Sequence, residues 1–200
     1  MSRPLDPTTA SRLDAVLTEG WALWERFDLE VRTERFHPFV AADYDAVRAA
    51  LEHHCAPGQR FLEWGSATGV ITIMADVLGC DAVGIELDES LVRTARGLAE
   101  RMQSQARFAP GSFVPGSYRP RPGITRTRSQ WTGQGESAYP MLRRALDDFD
   151  IVFGFPWGDE APMMLDIMKQ YGSGDALLML YSIDDGVQLF RDGRRWPRPR

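Results

Sequence analysis

Lysine is almost absent from this chain. Of 23 basic residues among 200, Lys169 is the one lysine and the others are arginines. Acidic residues number 28, so the formal net charge is −5. A surface of that sign does not serve as a general binder of nucleic acid or of an anionic membrane. Cysteine is scarce too: Cys55 and Cys80 are too few for a disulfide framework and point to a reducing compartment. No apolar run approaches the roughly 18 residues of a membrane span, and the opening MSRPLDPTTA has no apolar signal core. These absences predict a soluble, cytoplasmic protein. What is present, 44% hydrophobic and 26% charged residues, is enough to build a folded core.

The first 57 residues read as a helical cap. Leu13, Val16, Leu17, Trp21, Trp24, Phe27 and Val31 recur at helical spacing within 8–35, with Thr8 or Thr9 as cap. Pro38 breaks that helix, and a second runs over 41–54. From residue 58 the texture changes to alternation. Strands are expected at 60–64, 82–87, 106–108, 149–155 and 175–182, with a short last one near 187–191. Helices are expected at 70–78, 88–102, 137–147 and 159–171. Residues 109–135, with four prolines and several arginines (Arg119, Arg121, Arg126, Arg128), show no periodicity and read as a long loop or lid. Residues 193–200 read as a flexible tail. Apolar strands alternating with helices predict an α/β, Rossmann-like, doubly wound, mostly parallel sheet, truncated at its C-terminal edge. An open edge of that kind would support a homodimer.

Ligands of such sheets bind at the carboxyl ends of the strands. The informative stretch is Phe61-Leu62-Glu63-Trp64-Gly65-Ser66-Ala67-Thr68-Gly69, with Glu86 closing the next strand. An acid about 20 residues past a strand–glycine turn–helix unit is placed for ribose hydroxyls. Ala67 stands where a dinucleotide fingerprint wants a glycine, and a carboxylate at Glu63 would repel a diphosphate yet attract an ammonium. S-adenosylmethionine, with an ammonium and a sulfonium but no phosphate, fits that charge better than NAD.

These residues resemble the first two motifs of the class I S-adenosylmethionine-dependent methyltransferases, and the resemblance spans roughly 60–182. It implies S-adenosylmethionine as cofactor and S-adenosylhomocysteine as product. It implies that Glu63, Gly65, Ser66 and Gly69 line the methionine part, that Glu86 holds the ribose and that Leu87 packs on adenine. Ser112 and Phe113 fall near the adenine amine, with Ser112 where the family often carries an acid.

On the acceptor side, the fourth strand ends in Gly154-Phe155-Pro156-Trp157-Gly158-Asp159-Glu160. Many amino-group methyltransferases carry Asn/Asp-Pro-Pro-aromatic there; only Pro156-Trp157 remains, which disfavours a nucleobase acceptor. Trp157, Glu160 and Trp131 are the candidate substrate-binding residues. Asp159, His37 and Tyr181 are the candidate catalytic ones, each with a plain packing or capping alternative. No metal is expected. The expected activity is methyl transfer to an O or N atom of a small molecule. The alternatives are a protein lysine methyltransferase or an inactive binding module of the same fold.

Overall fold

Near-continuous apolar runs between glycine turns build a sheet buried on both faces. The computed structural model describes residues 5–34, 36–124 and 135–196. Its strands are β1 (Arg60–Trp64), β2 (Asp81–Glu86), β3 (Arg107–Pro110), β4 (Ile151–Gly154), β5 (Leu177–Ser182), β6 (Gly186–Arg191) and β7 (Arg194–Arg195). They are ordered β3-β2-β1-β4-β5-β6-β7. β1 to β5 are parallel, while β6 and β7 run antiparallel. The chain steps outward from β1 to β3, then returns to β4 on the other side of β1. That reversal leaves a crevice at the carboxyl ends of β1 and β4.

The helices are α1 (Pro7–Phe27), α2 (Tyr44–His54), α3 (Val70–Val77), α4 (Glu89–Arg101), α5 (Tyr139–Leu142) and α6 (Ala161–Tyr171). Strand side chains alternate between faces. Phe61 and Phe153 pack with Leu13, Val47, Ile73 and Leu98 from α1 to α4. Leu62, Val152 and Leu178 pack with Met163, Met164 and Ile167 of α6. The sheet is thus wound on both faces, as the sequence predicts.

Four details differ from expectation. Asp6, not a threonine, caps α1 by accepting from the Thr8 and Thr9 amides at 3.1 and 3.0 Å. The helix expected over 137–147 shrinks to the four residues of α5, because Pro140 sits in its first turn and Arg143 closes it in the left-handed region at φ 51. The C-terminal edge is not truncated: the sheet reaches seven strands. β7 escaped notice because two arginines carry no strand pattern, and they pair with Phe190 and Arg191 inside the segment expected as tail. Among the described residues, no helix is long and apolar enough to cross a membrane.

Candidate functional site

A cavity of about 390 Å³ opens at the carboxyl ends of β1, β2 and β4, within the size range of small-molecule sites. The structure brings His37, Gly65, Glu86, Leu87, Phe113, Trp157 and Glu160 to its wall. Sequence reasoning missed Trp64, Ala67, Asp88, Leu91, Phe39 and Phe155, which also line it. Strand alternation could have supplied Trp64, the outward neighbour of the glycine turn.

The turn after β1 is set by two unusual backbone positions. Gly65 has φ +73, and a Cβ there would meet nothing within 4 Å, so its hydrogen faces open cavity. Ala67 holds φ 45, in the left-handed region that a Cβ disfavours. Glu86 locks this turn. Its Oε2 accepts from the Ala67 amide at 2.8 Å and its Oε1 from the Asp88 amide at 2.9 Å. Burial raises its pKa above the usual carboxylate range, against those hydrogen bonds. A carboxylate has about four acceptor sites, so capacity remains for a ligand hydroxyl.

Asp88 caps α4 through Oδ1, which accepts from the Ser90 amide at 2.7 Å. Its Oδ2 lies 3.3 Å from His37 Nε2. Burial works to raise its pKa, but the hydrogen bonds from Ser90 and His37 outweigh that and hold it low. Beside it, Trp64 stacks on Phe113 with centroids 5.0 Å apart and donates to the Tyr139 hydroxyl at 3.0 Å. The far wall is Phe155, Trp157, Glu160 and Met164. Glu160 is 3% exposed, and its Oε2 accepts from the Trp157 amide at 2.9 Å.

Glu63 lies off the main cavity wall, behind the turn. Alternation puts it on the Phe61 face of β1, not the Trp64 face. Its Oε2 accepts from the Thr72 amide at 2.9 Å and from the Thr72 hydroxyl, under the first turns of α3. Burial pushes its pKa up to about 8, so it is largely uncharged at neutral pH. It faces a side pocket of about 40 Å³, with Ser66, Thr68 and Tyr44, that shares Gly65 and Ala67 with the main cavity. Ser66 Oγ is buried there with no hydrogen-bond partner among the described residues.

Other expected residues stand elsewhere. Gly69 is a packing glycine: a Cβ would sit 2.6 Å from Phe108 and 2.8 Å from Ala95. Ser112 is outside the cavity wall, and its hydroxyl accepts from the Val114 amide in its own turn. Tyr181 lies buried on the Glu63 face, against Phe155, and its hydroxyl accepts from the Asp43 amide at 3.1 Å. Asp159 is exposed and off the cavity wall; the turn at Gly158 aims Glu160 inward instead. In the arginine-rich excursion, Arg121 pairs with Asp166 of α6 at 3.3 Å, away from the cavity. Arg126, Arg128 and Trp131 lie outside the described residues.

No protein-family model matches the sequence. A ribosomal protein L11 methyltransferase of Thermus thermophilus is 30% identical over 114 residues, 56% of this chain and 44% of that protein. One of Ralstonia pickettii is 40% identical over 66 residues, 32% of this chain and 22% of that protein. The chain therefore spans less than half the length of these curated relatives. Among solved structures, an RNA methyltransferase of Salinibacter ruber in complex with S-adenosylhomocysteine shares the fold. Its TM-score is 0.55 at 15% identity, over 80% of this chain and 95% of that one. With its glycine turn after β1, the acid closing β2 and its sheet order, the chain shares its fold with this methyltransferase structure, and part of its sequence is similar to these L11 methyltransferases.

Proposed function

We propose that the chain binds S-adenosylmethionine in this cavity and transfers its methyl group to an amine nitrogen. One observation carries the reading: the cavity wall, among the described residues, holds Glu86, Asp88 and Glu160 but neither lysine nor arginine. Such a wall repels the diphosphate of a dinucleotide and attracts a sulfonium and an ammonium. The charge argument thus rests on these three acids rather than on Glu63.

The residues fit the cofactor. Glu86 accepts a ribose hydroxyl with the acceptor capacity that the backbone amides around it leave unused. Leu87 and Phe113 flank the base. The side pocket, with Ser66 Oγ and Glu63, receives the amino-acid end. An ammonium there draws Glu63 toward its ionised form. When bound, S-adenosylmethionine supplies an electrophilic methyl group on a positively charged sulfur. The chain contributes alignment. Trp157 offers an aromatic face to a cationic amine at the rim, and Glu160 takes the proton that the amine must lose to attack.

The amine we assign belongs to a protein rather than to the small molecule expected from sequence. Phe36 and Trp157, 64% and 37% exposed, meet at the rim with centroids 6.1 Å apart, which suits a partner surface. The relatives are named for a ribosomal protein. Calorimetry with S-adenosylhomocysteine, then transfer of labelled methyl to purified ribosomal protein L11 or to free lysine, tests this. Micromolar affinity and label on the protein are expected. No affinity overturns the reading. Affinity without transfer to either acceptor favours a binding module, and label on free lysine alone restores the small molecule.

A further inference from the structure

The segment 36–43 joins the α1 region to α2 without regular secondary structure. Nevertheless His37, Pro38, Phe39 and Val40 all line the cavity in succession. This strap is held at both ends. At one end Phe36 meets Trp157 on the acceptor side. At the other, the Asp43 amide donates to the Tyr181 hydroxyl. Phe27 packs under it, 4.9 Å from the His37 ring and 5.0 Å from that of Phe39.

His37 ties the strap to the nucleoside side. Its Nδ1 accepts from the Phe39 amide at 3.1 Å, which assigns the ring proton to Nε2. Nε2 then donates to Asp88 Oδ2 at 3.3 Å. Asp88 in turn donates its amide to Glu86, which also accepts from Ala67. One chain of hydrogen bonds therefore runs from the strap, through Asp88 and Glu86, to the turn after β1. With both ring nitrogens engaged, His37 is no general base in this arrangement, although it lines the cavity.

Resting on the cofactor reading above, we propose that His37 is a positioning residue. It latches the strap to Asp88, closes the wall over the nucleoside and holds Glu86 in register for the ribose. Binding of the nucleoside and closure of the strap are one event. Ligand contacts made by Phe39 and Val40 exist only with the latch shut.

The full chain tests this by calorimetry with S-adenosylhomocysteine and by amide exchange over 36–43. Asp88→Asn keeps an oxygen to cap α4 but turns an NH₂ toward Nε2–H, whose proton cannot move while Nδ1 accepts from Phe39. His37→Ala and Asp88→Asn should each weaken binding about tenfold, the value of one hydrogen bond to a charged group. The double variant should be no weaker than either alone, because both break one latch. His37→Gln, which can still donate to Asp88, should recover most of the affinity. Exchange over 36–43 should slow on binding in the wild type and not in His37→Ala. Equal affinity of His37→Ala and wild type, or losses that multiply in the double variant, overturns the latch alone. A wild type with no affinity overturns the cofactor reading, and the latch with it.

Discussion

The two sides of the cavity are made of different material. Beside β1 and β2 the wall is organised by a turn that main chain holds, with Gly65, Ala67, and Glu86 between two amides, and the side chains of Trp64, Leu87 and Asp88 stand around it. Beside β4 the wall is side chain, with Phe155, Trp157, Glu160 and Met164. A backbone site is fixed by the fold. A side-chain site is rewritten by single substitutions.

The comparison is broken most directly at Gly65. Gly65→Val should abolish S-adenosylhomocysteine binding, since its side chain would fill open cavity and its φ of +73 is left-handed. A folded variant, checked by circular dichroism, that still binds would remove the backbone side from the account. Glu63 gives the next effect. Its pKa rises from 4.5 to about 8 on folding, so the folded state holds a proton that the unfolded state releases. Stability should therefore fall as pH rises between those values, by at most about 1.4 kcal/mol per pH unit. Melting curves of the apo protein across that window should show the slope, and Glu63→Gln should flatten it.

Glu86→Ala should weaken binding by about 1–3 kcal/mol, the cost of stranding buried partners; unchanged affinity would remove its ribose role. On the side-chain wall, Trp157→Ala should lower turnover roughly fivefold, the order of one cation–π contact of about 1 kcal/mol. Cofactor affinity should stay near wild type, and a parallel loss in both would erase the division between the two walls. Smallest, Ala67→Gly should stabilise by about 0.5–1 kcal/mol, since relief of left-handed strain exceeds the added freedom of the unfolded chain.

The backbone side was the legible one. Gly65 and Glu86 announce themselves because a glycine turn and an acid interrupt apolar strands. Glu63 was placed correctly along the chain, but the face it serves was not read. Its position at a strand tip says where it is, while only its shared parity with Phe61 says which face it serves. The acceptor side was legible as a neighbourhood and not as residues. Asp159 and Glu160 are adjacent acids, and the turn at Gly158, at φ 59, decides which one enters the cavity. Tyr181 shows the same limit, since parity puts it behind the sheet. Of the strap only His37 was singled out, because its residues meet Asp88, Trp157 and Tyr181 only through tertiary folding.

Trp64 has a practical consequence. Its indole is 1% exposed, stacked on Phe113 and tethered to Tyr139, yet it borders the space where a nucleoside would lie. An indole sealed from solvent fluoresces toward the blue, and a purine or sulfonium brought against it quenches that emission. The molecule thus carries its own optical gauge of occupancy, read against a Trp64→Phe control for the light from its other five indoles.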